Sequence, residues 1–181
     1  MGYDTVSRLF HWVTAVLVLI MIPVGLTMVQ EPPQPWQDRL YVLHKGLGPL
    51  VLLVVLTRLG WRAFHPAPPL PASVSRPQQF AAGTVHAALY AALVVMGVSG
   101  YVFVDAGDFP TEALRALGIP PFIAKNEPLS KAAQSVHVTC AFVLIALVAM
   151  HVGAAAFHGL VKRDGVVSRM WPPLARGGGR P

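Results

Sequence analysis

Four long apolar stretches limit the folds that are open to this chain of 181 residues. A helix needs roughly 20 apolar residues to cross a hydrocarbon layer of about 30 Å, and each stretch is long enough. Apolar residues make up 54% of the chain and charged residues only 12%, which is unlike a water-soluble domain. The sequence therefore predicts an all-α, multi-pass membrane protein, a bundle of four transmembrane helices over about 9–29, 39–61, 80–104 and 129–160.

The segments between these stretches leave little room for a soluble domain. Residues 65–77 are rich in proline and are expected to form an extended linker. The longest connection is 105–128, where 111–117 is predicted to form a short surface helix capped by Thr111. We expect one transmembrane domain over 1–165, followed by a basic tail over 166–181.

The charges between the stretches predict the orientation. The side that holds both termini and the linker has nine Lys and Arg against two acidic residues, and the other side has five against six. Because Lys and Arg are retained on the inner side of a membrane, both termini are predicted to be cytoplasmic. The basic residues are scattered among apolar stretches, so the net charge of +6 indicates membrane topology and not nucleic-acid binding.

The last apolar stretch contains two histidines with a regular spacing. His137 and His151 are 14 residues apart, so on a helix they lie on one face, about 40° short of four full turns, and roughly 21 Å apart. From the predicted orientation, His11 enters the membrane from the cytoplasmic side and shares a depth with His151. His44 enters from the outer side and shares a depth with His137.

Two histidine pairs at two depths are typical of a particular cofactor. Each pair can hold one iron through both axial positions, as in a six-coordinate b-type haem. Ionisable residues inside membrane spans are expensive and are functional candidates by default. We therefore predict His11, His44, His137 and His151 as axial ligands of two haem b groups. The lone Cys140 excludes a Cys-x-x-Cys-His site for covalent haem attachment.

Other readings of these histidines stay open. A single membrane histidine can simply form a hydrogen bond between helices, and this is the favoured interpretation of His86. A non-redox metal-binding or transport protein is a further alternative, although zinc would need three or four ligands clustered at one depth.

Three more side chains are candidates for contacts at these sites. Arg8 lies one turn before His11, and Lys45 directly follows His44, so each is either a partner for haem propionates or an interfacial anchor. His158 lies two turns beyond His151 on the same face. It can contact a propionate or a quinone, or reach water at the membrane edge.

Several segments resemble the bacterial cytochrome b561 family. The matching residues are Arg8-Leu9-Phe10-His11-Trp12, Leu43-His44-Lys45 with Gly48 and Arg58, His86 with Leu89-Tyr90 and Ser99-Gly100, and His137 through His151 to Arg163-Asp164-Gly165. The resemblance implies a four-helix, di-haem protein of the bacterial inner membrane that exchanges electrons with quinone. By position, His11 and His151 would hold the cytoplasmic-side haem, and His44 and His137 the outer one.

The resemblance leaves two electron donors open. One family activity is superoxide:ubiquinone oxidoreduction, in which superoxide reduces the outer haem and ubiquinone is the acceptor. The other is a cytochrome b subunit that links quinone to a hydrogenase-type enzyme or a periplasmic cytochrome. Superoxide is the leading expectation. A positive outer surface would steer that anion towards the protein, but the outer side has five basic and six acidic residues and therefore departs from this expectation.

Overall fold

The computed structural model describes residues 2–171, and these residues form a helical bundle. Its helices are α1 (Thr5–Met28), α2 (Trp36–Phe64), α3 (Arg76–Ala106), the short α4 (Glu112–Ala116) and α5 (Glu127–Ala156). A π-helical turn (Phe157–Lys162) continues α5, and a 3-10 turn (Val167–Arg169) follows it. The predicted tail therefore falls largely on residues 172–181, outside the described residues.

Within residues 2–171, four helices are long and apolar enough to cross a membrane, as predicted. They are longer than the apolar stretches when the π-helical turn is counted with α5. Helix α3, for example, begins at Arg76 and not near residue 80. At the starts of α1 and α5, polar side chains cap the first turn of the helix. The Asp4 carboxylate accepts from the Ser7 amide at 2.9 Å, and the Asn126 side chain accepts from the Leu129 amide at 3.0 Å. Apolar length alone therefore underestimates these helices.

The connection between α3 and α5 differs from its prediction in one detail. Thr111 occupies the N-cap position of α4, but its side chain makes no capping hydrogen bond. Contacts to α2 hold this segment instead. The Lys45 ammonium donates to the Pro110 carbonyl and lies 3.6 Å from the Glu112 carboxylate.

The four long helices pack in a definite order. α1 packs closely on α2, α3 packs closely on α5, and α2 contacts α3. The buried core is small, since lipid and not protein is the expected neighbour of most apolar side chains. It consists of Val18, Val51, Val55, Ala92, Leu93 and Leu144.

The start of the tail closes one end of the bundle, which we call the terminal end because residues 2–4 and 165–171 lie there. The Trp12 indole donates to the Met170 carbonyl at 2.7 Å, and the Tyr3 amide donates to the Arg169 carbonyl at 3.3 Å. The Arg169 guanidinium in turn donates to the carbonyls of Pro68 and Pro69 at 2.9 and 2.8 Å. The opposite end carries α4 and is called the loop end.

The contact between α2 and α3 depends on a glycine. A Cβ atom on Gly97 would lie 2.8 Å from the Leu52 Cβ. We predict that Gly97→Ala destabilises the protein by about 1–3 kcal/mol, because the two helices must move apart. Thermal unfolding in detergent measures this. Gly83→Ala in the same helix is the control, since no described atom lies within 4 Å of its added methyl group; equal melting temperatures for both variants would contradict the prediction.

Candidate functional site

Two pairs of imidazole rings face each other inside the bundle. At the loop end, the ring centroids of His44 on α2 and His137 on α5 are 6.2 Å apart, with an interplanar angle of 84°. At the terminal end, those of His11 on α1 and His151 on α5 are 6.1 Å apart, with an angle of 71°. The structure thus brings together the same residues that the sequence places at common depths.

Glycines on neighbouring helices make room for the loop-end rings. A Cβ atom on Gly100 would lie 2.8 Å from Cε1 of His137, and one on Gly25 would lie 3.0 Å from Cε1 of His44. Both glycines allow an imidazole to lie directly against a helix backbone. Gly25 was not predicted from the sequence, because nothing in the order of residues shows that the α1 backbone faces His44.

The rings have different hydrogen-bond partners on Nδ1. Because a carbonyl can only accept, the Nδ1–H of His137 donates to the Met96 carbonyl at 3.0 Å. The Nδ1 atom of His44 is buried without a partner among the described residues. At the terminal end, the Arg58 guanidinium donates to Nδ1 of His11 at 3.2 Å.

A third imidazole joins the terminal-end pair. The ring of His86 on α3 lies 5.3 Å from that of His151, centroid to centroid, which is closer than either opposed pair. The sequence did not predict this cluster, because the depth of His86 does not reveal which helix its ring faces. In residues 2–171, no group of three or more His, Cys, Asp and Glu side chains is arranged to hold a metal ion.

Two guanidinium groups lie at the terminal end. Arg8 is 9% exposed, and its Nε atom has no partner among the described residues. Arg58 is half-buried and also lies over the Tyr90 ring, 5.2 Å from its centroid. A buried cation without a carboxylate partner is costly, so both groups are suited to an anion or to another electron-rich group.

His158 has an acidic partner just beyond the π-helical turn. Its Nδ1 atom lies 2.6 Å from Oδ2 of Asp164. Burial by itself would raise the pKa of the Asp164 carboxyl, but the hydrogen bonds with His158 and with the Val166 amide lower it below its usual value. Asp164 is therefore ionised at neutral pH and orients the imidazole.

Comparison with known proteins identifies the family. A family model described as prokaryotic cytochrome b561 matches residues 2–173. The chain belongs to the prokaryotic cytochrome b561 family. Relatives include cytochrome b561 homolog 2 of Escherichia coli K12, which is 32% identical over 170 residues that cover 93% of this chain and 90% of the relative.

More distant relatives extend this set. Cytochrome b561 homolog 1 of the same organism is 25% identical over 166 residues, covering 90% of this chain and 92% of the relative. A Yersinia pestis protein named "Probable superoxide oxidase CybB" is 23% identical over 181 residues, covering 94% and 96%. As a member of the cytochrome b561 family, this chain is a multi-pass membrane protein for electron transfer, and its family binds b-type haem.

The geometry of the ring pairs fits such a haem. A metal–nitrogen bond to histidine is about 2.0 Å, which puts two axial imidazole centroids roughly 6 Å apart on opposite sides of one metal ion. Both opposed pairs have this spacing. In addition, the backbone of α5 lies close to that of α3 but further from those of α1 and α2. The ring pairs lie between α5 and these two more distant helices. This spacing leaves room for a flat macrocycle.

The contact between Gly100 and His137 gives a test of this fit. We predict that Gly100→Val pushes the His137 ring out of line and weakens haem binding at the loop end by about 10–100-fold. Haem content per chain and the optical spectrum of the purified protein measure this. Gly83→Val on the same helix is expected to keep the wild-type spectrum; a full complement of haem in Gly100→Val would contradict the fit.

Proposed function

We propose that this protein is a di-haem b-type cytochrome of the bacterial inner membrane that passes electrons from superoxide to ubiquinone. The observation that carries the proposal is the presence of two opposed imidazole pairs at two depths of one helix, α5. His11 and His151 hold one haem at the terminal end, and His44 and His137 hold the other at the loop end. When bound, each haem supplies a one-electron centre.

The loop charges support the direction of insertion. The excess of Lys and Arg at the terminal end supports a cytoplasmic location for that end. The loop end then faces the periplasm. The two histidines of α5 are roughly 21 Å apart along the helix axis, so an electron can cross much of the bilayer through fixed centres.

The overall reaction balances when two protons are taken up from water on the quinone side. Two superoxide anions are oxidised to two O₂, and one ubiquinone takes up the two electrons together with two protons to become ubiquinol. The protein positions the two centres and separates the two substrates. On the cytoplasmic side it also provides the hydrogen-bonded pair His158 and Asp164 next to the membrane edge.

We assign the remaining candidate side chains from their surroundings. Arg8 is buried and its Nε atom is unpartnered in the described structure, so it fits the carboxylate of a haem propionate. His158 is the candidate quinone contact, with Asp164 orienting its ring. The sequence offers Lys45 as a partner for a haem propionate or as an interfacial anchor, but Glu112 and the Pro110 carbonyl engage its ammonium group. We therefore assign Lys45 to holding the α4 connection.

The superoxide assignment is supported by a relative that is named a probable superoxide oxidase. A second candidate is a cytochrome b subunit that accepts electrons from a periplasmic redox partner, such as a hydrogenase-type enzyme. The loop end favours this candidate in one respect. It has balanced charge, and it exposes Phe109, Leu117 and Phe122 by 49%, 73% and 74%, which suits contact with protein or lipid more than steering of an anion.

The haem assignment predicts the stoichiometry of single-ligand variants. The wild-type protein should carry two haem b per chain, and His137→Ala should keep one, because the His11 and His151 pair is left intact. Quantitative pyridine haemochrome analysis measures this. His65→Ala is the control, since His65 is exposed and stacks on Trp61, and it should keep both. Two haems in His137→Ala would disprove the ligand assignment, and no haem in the wild type would favour the non-redox alternative.

The donor is tested by the optical response of the oxidised protein to enzymatically generated superoxide. We expect rapid reduction of haem b that superoxide dismutase abolishes, followed by reoxidation when ubiquinone is added. Steady-state transfer should be lost in both His44→Ala and His11→Ala, because each removes one centre. A haem spectrum that responds to quinol but ignores superoxide would instead identify the partner-linked cytochrome.

A further inference from the structure

The two imidazole pairs have electrostatically different surroundings. At the loop end, His137 donates its ring N–H to the neutral carbonyl of Met96. At the terminal end, the cationic guanidinium of Arg58 lies 3.2 Å from Nδ1 of His11. His137 therefore has a neutral group beside its ring, and His11 has a positive charge beside its ring.

The charge of Arg58 is not neutralised by a nearby carboxylate. Among residues 2–171, the ion pairs are Lys45 with Glu112 and His158 with Asp164. Arg58 contacts His11 and the face of the Tyr90 ring, and both of these partners are uncharged when His11 is neutral. The contact with Tyr90 holds the guanidinium beside His11 without cancelling its charge.

In the described part of the chain, no uncompensated charge contacts the loop-end rings. The cation next in sequence to His44 is Lys45, and Glu112 lies 3.6 Å from its ammonium group. Coulomb interactions are strong where water is excluded. The two haems therefore have different reduction potentials, because the cation near one is uncompensated and the cation near the other is compensated. A nearby positive charge favours the iron state with less positive charge, which is the reduced state.

We propose that Arg58 raises the reduction potential of the haem held by His11 and His151 above that of the haem held by His44 and His137. Electrons then run downhill from the loop end to the terminal end. This inference rests on the proposed function, because it takes both imidazole pairs as haem ligands. It adds the energetic reason for the proposed direction of electron flow and names the residue that provides it.

The test is a spectroscopic redox titration of the purified, haem-loaded Arg58→Gln variant. Glutamine keeps an N–H donor near His11 but removes the charge. At a fixed ambient potential near the wild-type midpoint, the ratio of reduced to oxidised terminal-end haem should fall on the order of tenfold. The loop-end haem should titrate as in the wild type, and Arg58→Lys, which keeps the charge, should recover most of the shift.

Arg39→Gln is the matched control. Arg39 lies on the same helix, is exposed, and stacks over the Trp36 ring at 5.1 Å. Its loss should leave both titrations unchanged. The inference is overturned if the terminal-end haem of Arg58→Gln titrates as in the wild type, or if Arg58→Lys behaves like Arg58→Gln.

A second measurement does not need an Arg58 variant to retain haem. His44→Ala should hold the terminal-end haem, and His11→Ala should hold the loop-end haem. The single haem of His44→Ala should be reduced at the higher ambient potential, and the reverse order overturns the inference. Failure of the proposed function would look different, since the haem content of these variants would then not fall from two to one.

Discussion

A bilayer offers no water to a polar side chain, so every imidazole inside a membrane helix needs a partner within the protein. Five histidines of the long helices are arranged under this constraint. Four of them form the opposed pairs His11 with His151 and His44 with His137, and His86 adds a third ring at the terminal end. The Nδ1 atom of His44 is buried and has no partner in the described structure, whereas that of His137 donates to the Met96 carbonyl.

The rest of the bundle is compatible with that arrangement. α5 packs on α3, and Gly100 lets His137 lie against the α3 backbone. The rings of α5 also meet α1 and α2 where the backbones are further apart, which is the space that a flat cofactor needs. Each end of the bundle is then covered separately, by the α4 connection at one end and by the turn around Arg169 at the other.

Charge makes the two ends unequal. Lys45 is balanced by Glu112, and His137 faces a neutral carbonyl, whereas Arg58 keeps its charge beside His11. Because electrostatic effects are large in a medium without water, this inequality is the physical source that we propose for a direction of electron transfer between the two histidine pairs. It also agrees with the proposed passage of electrons from a periplasmic donor to quinone on the cytoplasmic side.

The order of residues by itself determined the number of spans and the candidate ligands. Apolar length shows how many helices can cross a bilayer, and the helical repeat puts His137 and His151 on one face at two depths. The family membership was predicted from the same motifs and is confirmed, while ligation by the four histidines stays a prediction. Tertiary structure decided the contacts that depend on which helices are neighbours. The contact of Arg58 with His11, the approach of His86 to His151 and the room that Gly25 makes for His44 all join residues on different helices. No local pattern encodes such contacts, because they follow from how the helices pack.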